Sequence, residues 1–203
     1  VDLTGQPTGS EFVEQATWHE WLNSDYAVEN TTCQSCHIPR VPKTNVVIAA
    51  GYDTPPRFPF GQHELVGGNA LMLRLMKENK DQLGIVADDA AYDETINKTN
   101  NQLQNHSVTV LVNNEGRDAD SLYFNVFMTN LTGHKLPSGY PARRMSLFVT
   151  VRDEKDNVIF QSGGFNADQT VIGEDASFEP HYTHIREENQ VQVFPSSLRV
   201  PSV

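Results

Sequence analysis

Cysteine is scarce in this chain: Cys33 and Cys36 are the only two in 203 residues. Two thiols cannot build the disulfide framework of a small secreted domain. Nor do they suffice for a structural zinc site, which takes four ligands and usually draws several from cysteine. Bridging them to each other would close a very short loop and restrain almost no chain entropy. Long apolar runs are missing too, so no segment reads as a transmembrane helix. Basic residues are few, with 15 Lys and Arg against 26 Asp and Glu, for a formal net charge of −11. That balance argues against nucleic acid or an anionic membrane surface as a partner. It suits basic partners and is also an ordinary device for solubility. No phosphate loop, nucleophile elbow or internal repeat is present. What remains, 38% apolar and 20% charged residues, fits a turn-rich soluble globular chain of one large domain or two small ones.

The two cysteines lie three apart with a histidine directly after them, Cys33-Gln34-Ser35-Cys36-His37. This is the attachment pattern of c-type haem. Each thiol forms a thioether with one haem vinyl group, and the two intervening residues let both sulfurs reach one porphyrin edge. The following imidazole then lies under the iron as its proximal ligand. A thioredoxin-like pair would need a βαβ setting, and the preceding Glu29-Asn30-Thr31-Thr32 does not read as a buried strand. One haem c per chain is therefore expected, held by Cys33, Cys36 and His37. Such attachment takes place on the oxidising side of bacterial membranes. The chain begins at Val1 with neither a start methionine nor a signal peptide, so an export signal is expected to have been removed. Periplasm, cell surface and extracellular space all fit. Asn-x-Ser/Thr sequons at Asn30, Asn97, Asn105 and Asn130 permit glycosylation without requiring it.

Along the chain, Gly5, Pro7 and Gly9 mark residues 1–15 as a loose lead-in. Trp18, Trp21, Leu22 and Tyr26 then recur at helical spacing within 16–27. Their face would cover a haem or simply serve as core. Prolines at 39 and 42 forbid a long helix after the haem motif. Asn69 is a plausible cap for a helix over about 70–80, with Leu71, Met72, Leu75 and Met76 on one face. A second, more polar helix is expected over about 88–105. β-Branched and aromatic runs follow at 108–112, 122–128, 145–151 and 158–161, with a last strand near 190–194. The expected class is α+β: a helical haem-binding domain over 1–106, then a small antiparallel β-sandwich with a C-terminal tail over 107–203.

The ligand on the far side of the iron decides the function. A methionine would suggest a high-potential soluble cytochrome, but the spacing of Met72 and Met76 is more typical of core. Among seven histidines, His63 is the first choice, because it lies between a proline-broken loop and Gly67-Gly68, where the chain can fold back. His134, in a turn between two strands, is the rival. His19, His106, His181 and His184 are weaker. Arg143 and Arg144 could pair with haem propionates. Asp88-Asp89 and 118–120 lack the spaced ligands of a calcium loop and read as solvated turns.

The order of these features carries a resemblance. The 18–27 helix, Cys33–His37 with Pro39, His63-x-x-Val66-Gly67-Gly68-Asn69 and the stretch Thr129 to Arg144, with Gly133-His134-Lys135-Leu136-Pro137-Ser138-Gly139 at its centre, resemble exported c-type cytochromes. The likeness is greatest to the cytochrome c554-like and multihaem cytochrome families, and covers about residues 16–194. It implies bis-histidine ligation, electron transfer rather than catalysis, and a β domain beside the haem segment. It makes both His63 and His134 ligand positions, although this chain attaches one haem where relatives commonly attach several. One of the two then has another role, or ligates a haem of a neighbouring subunit. Redox partner proteins are implied, with self-association into a chain of haems or a filament as an addition, and the 194–203 tail as a docking segment. The other classes are a haem enzyme with an open iron acting on peroxide or nitrogen oxides, and a haem-based redox or gas sensor module. No distal acid–base pair supports the first, and no output segment supports the second.

Overall fold

In a computed structural model, which describes residues 4, 6, 9, 14–42, 45–49, 51, 53–140, 143–174 and 181–195, the first helix stops sooner than its aromatic spacing predicts. Helix α1 spans Thr17–Leu22 and α2 spans Asp25–Val28. Ser24 separates them in an extended conformation, and its hydroxyl donates to the Trp21 carbonyl at 2.8 Å. That bond gives the chain a local alternative to continuing the helix. The aromatics are polar anchors as well as apolar bulk. Trp21 Nε1 donates to the Thr31 carbonyl at 2.9 Å, and the Tyr26 hydroxyl donates to that of Leu131 at 2.8 Å.

Helix α3, Cys33–His37, is the Cys-x-x-Cys-His stretch itself. Ile38 ends it in a non-helical conformation, as expected of a residue preceding proline. Helices α4 (Ala70–Glu78) and α5 (Asp89–His106) lie where periodicity predicts them. Both are capped by carboxamide or carboxylate oxygens. Asn69 Oδ1 accepts from the Met72 amide at 2.8 Å, and Asp88 Oδ1 from that of Ala91 at 2.8 Å. Tyr92, Ile96 and Thr99 bury one stripe of α5, and Ala70 and Val66 are buried as well.

Strands β1 (Val108–Arg117) and β2 (Leu122–Asn130) form a hairpin longer than the apolar runs alone suggest. A bulge at Asn114/Gly116 uses Gly116 at φ 125°, and Asn114 Oδ1 accepts its amide. The expected 145–151 strand is two: β3 (Arg144–Ser146) and β4 (Val149–Arg152). They part at Leu147, whose amide donates to the Gln192 carbonyl at 2.9 Å. Strand β5 (Val158–Ser162) pairs with β4, and β6 (Val193–Pro195) pairs with β3. A Cβ at Gly163 (φ 75°) would stand 2.3 Å from the Leu147 carbonyl oxygen, so only glycine fits there. Ser162, Val191 and Val193 make the driest cluster of this region.

All three sheets are antiparallel, and among the described residues they join strands only in pairs, with no barrel. The fold is thus mixed helix and strand with small antiparallel sheets. Contacts divide the chain into two compact units, residues 1–20 with 134–203, and residues 21–133. The composition change near residue 106 falls inside the second unit, where α5 leads directly into β1 and touches it. No helix among the described residues is long and apolar enough to cross a membrane. Residues 196–203, most of the expected docking tail, lie outside the described residues.

Candidate haem attachment site

Helix α3 places Cys33 and Cys36 one turn apart, so both thiols leave the same side of the helix. Both are exposed and neither is in a disulfide. His37 closes the same turn and is half-buried. Its Nδ1 lies 2.7 Å from the Val66 carbonyl oxygen. A carbonyl only accepts, so Nδ1 carries the proton and donates, and the ring nitrogen that a metal would take is Nε2. Two accessible thiols on one face beside an imidazole oriented through Nδ1 are the donor set that covalent haem requires.

Residues 60–66 strap the chain that leaves α3. The Val41 amide donates to the Phe60 carbonyl at 2.8 Å, the Gln62 amide to that of Pro39 at 2.8 Å, and the Leu65 amide to that of His37 at 3.1 Å. Arg40 and Gly61 face each other in an antiparallel bridge. A Cβ at Gly61 would stand 2.5 Å from Ile38 Cγ2, so the close approach needs a glycine. His63 and Glu64 bulge out between the last two backbone bonds. The Glu64 carboxylate pairs with Lys98 Nζ of α5 at 2.9 Å, and His63 is exposed. The structure therefore brings His63 alongside the backbone of residues 37–39.

His134 belongs to the other compact unit. Its Nδ1 lies 2.8 Å from the Lys135 carbonyl oxygen, to which it donates. The turn that carries it is fixed by Glu20. Glu20 Oε2 accepts from the Lys135 amide at 3.0 Å and from the buried Ser138 hydroxyl at 2.6 Å. Thr17 Oγ1 stands 3.1 Å from the same hydroxyl. Arg143 donates to the Ser138 carbonyl at 3.0 Å.

The remaining sequence candidates are scattered. Arg144 pairs with Glu174. His181 Nδ1 accepts from the Gln192 side chain at 2.8 Å, and His184 lies against Thr183. His19 and His106 are exposed, Met72 is exposed and Met76 half-buried. Asp118 serves its own turn: the amide of Asp120 and the hydroxyl of Tyr123 hold its carboxyl below the usual aspartate range. Among the described residues no three His, Cys, Asp or Glu side chains gather as a metal site.

Sequence reasoning missed the Val66 carbonyl and Glu20. A backbone acceptor has no residue signature. Thr17-Trp18-His19-Glu20 has the spacing of a helix capping box, so the spacing points to the helix end while the carboxylate serves the 134–138 turn. Compared with protein-family models, curated proteins and solved structures, the chain matches none of them.

Proposed function

We propose that this chain is an exported c-type cytochrome that carries electrons, with one haem bound covalently by Cys33 and Cys36 and ligated by His37. The observation that carries the reading is the α3 turn: two exposed thiols on one face, followed by an imidazole whose Nδ1 donates to Val66. The haem supplies the one-electron redox chemistry. The chain's residues hold it, orient the proximal imidazole and set its potential through ligand, burial and nearby charge. The resemblance to cytochrome c554-like and multihaem cytochromes supports a second imidazole on the far side, which closes the iron to substrates.

His63 and His134 are the two candidates. The strap holds His63 in the bulge between the Gln62 and Leu65 backbone bonds, alongside residues 37–39. For His63 to close the iron of a haem held by Cys33, Cys36 and His37, the strap would have to open around residues 63–64, and His134 is the other candidate. Also part of the reading are basic redox partner proteins, self-association that brings haems together, and a sandwich arrangement of the strands. The uncovered apolar face of β1–β2 supports the last, with Val110 opposite Met128 and Val112 opposite Val126, and Val110 and Val112 being 50% and 65% exposed.

Low-temperature EPR of the oxidised protein tests the reading. A low-spin bis-imidazole signal is expected, lost in one of His63→Ala and His134→Ala and kept in the other. Loss in His63→Ala would mean that the strap opens around residues 63–64 when haem is bound. A high-spin signal in the unmodified protein would overturn the closed iron and bring an enzyme with an open site forward.

A further inference from the structure

We propose that Asn30 is the acceptor for N-linked glycan that the folded chain presents, and that the fold closes the sequons at Asn97, Asn105 and Asn130. An oligosaccharyltransferase needs two groups of a sequon at once, the asparagine carboxamide and the hydroxyl two residues on. The four sites differ in how the structure leaves those groups. Asn97 lies inside α5, and its partner hydroxyl belongs to Thr99, which is 2% exposed. Asn105 lies near the end of the same helix. Its Nδ2 donates to Asn101 Oδ1 at 2.8 Å, and the hydroxyl of Ser107, 4% exposed, donates to the Gln102 carbonyl at 2.9 Å. At Asn130 the two groups are bonded to each other. Asn130 Oδ1 accepts from the Thr132 hydroxyl at 2.8 Å and from the Thr132 amide at 2.9 Å.

Asn30-Thr31-Thr32 is arranged the opposite way. Asn30 follows Glu29, the cap of α2, at φ 56°, a left-handed conformation that asparagine tolerates better than most L residues. The Asn30 amide donates to the Ala27 carbonyl at 3.3 Å, and the Thr31 amide to that of Tyr26 at 2.8 Å. This is the Schellman pattern of a helix end. Trp21 Nε1 holds the Thr31 carbonyl as well. Main-chain and indole bonds thus fix the turn without the asparagine side chain, and Asn30 is exposed. Thr32 is half-buried at the N-cap of α3, and its hydroxyl makes no capping bond, so that oxygen is left for an enzyme to bind. In the transfer, Nδ2 attacks the anomeric carbon of a polyprenyl-diphosphate-linked glycan. The C–N bond forms as the sugar–phosphate C–O bond breaks, the diphosphate leaves with that electron pair, and Nδ2 gives up one proton. The acceptor geometry belongs to residues 21–32 and stands apart from the haem reading.

The test offers the folded full chain to an oligosaccharyltransferase that recognises the three-residue sequon, with a polyprenyl-diphosphate-linked glycan as donor. Peptide mass spectrometry maps the product. Asn30 is expected to be modified about tenfold or more faster than Asn97, Asn105 or Asn130, because those three wait on local opening. Thr32→Ala, which removes the hydroxyl, is expected to abolish modification at Asn30. A full-length variant with the α5 stripe broken, Tyr92→Ala with Ile96→Ala, is expected to raise the rates at Asn97 and Asn105 toward that of Asn30. An unmodified-sequence chain that takes glycan at Asn97 or Asn105 as fast as that variant would overturn the inference. So would one left bare at Asn30 while the opened variant is modified at Asn97 or Asn105, and neither result needs Thr32→Ala to fold. Modification of Asn130 as fast as Asn30 would also overturn it, by showing the 130–132 turn to be open to the enzyme.

Discussion

Glu20 shows how far a single side chain can reach from a short helix. Its carboxylate is the acceptor for the Lys135 amide and the buried Ser138 hydroxyl. Removing it takes an acceptor from the buried Ser138 hydroxyl, a loss of about 1–3 kcal/mol for Glu20→Ala. Urea denaturation should show that shift in midpoint, with Glu20→Gln falling between, since the amide keeps one acceptor oxygen. A Glu20→Ala midpoint equal to the unmodified one would mean that the turn is held by Thr17 and Arg143 instead. The proposed attachment residues, Cys33, Cys36 and His37, are readable from residue types alone, because thioether chemistry would demand those types at that spacing. Glu20 and the Val66 carbonyl are not readable that way. Their roles depend on residues more than a hundred positions away in one case, and on a main-chain atom in the other.

Elements were legible where a local signal matches a local bond. Asn69 and Asp88 cap α4 and α5 through their own side chains, and the apolar stripes behind them set the helices. Legibility failed where a single bond interrupts a periodic run. Ser24 divides the aromatic helix, and the Leu147 bond to Gln192 divides the strand run at 145–151. The β4–β5 turn gives the clearest element-scale prediction. The Asp153 carboxylate accepts from the Asn157 side chain and from the amides of Asn157 and Lys155, and these bonds hold it below the usual aspartate range. A carboxyl depressed in the folded state stabilises the turn above the ordinary aspartate value. That contribution is lost only as pH falls through the lower folded value. In an acid titration followed by NMR, the Lys155 and Asn157 amides should therefore move below the ordinary aspartate range. Movement at the ordinary value would show the turn to be open in solution.

At the scale of the whole molecule, helices and paired strands contribute to the same compact unit, so the division by composition near residue 106 and the division by contact are different things. Composition reports which secondary structure a stretch prefers. Contact reports which stretches share a core, and residues 1–20 share theirs with residues 134–203. The proposed self-association belongs at this scale. Static light scattering of the haem-loaded protein across concentration should show mass rising above the monomer. Raising ionic strength should strengthen the association if the net charge of −11 opposes it. A constant monomer mass at every concentration and salt would remove this part of the proposal.

The strap built from main-chain bonds has a hereditary consequence. A geometry written in amides and carbonyls is indifferent to most side chains, so residues 60–66 can drift in descent while the shape endures. The exceptions are few and physical. Gly61 has no room for a methyl group beside Ile38, and positions 62 and 65 cannot become proline without losing an amide that the strap uses. The part of the molecule that aims the imidazole is thus free to lose its spelling, while a site that attaches haem as proposed would have to keep Cys33, Cys36 and His37.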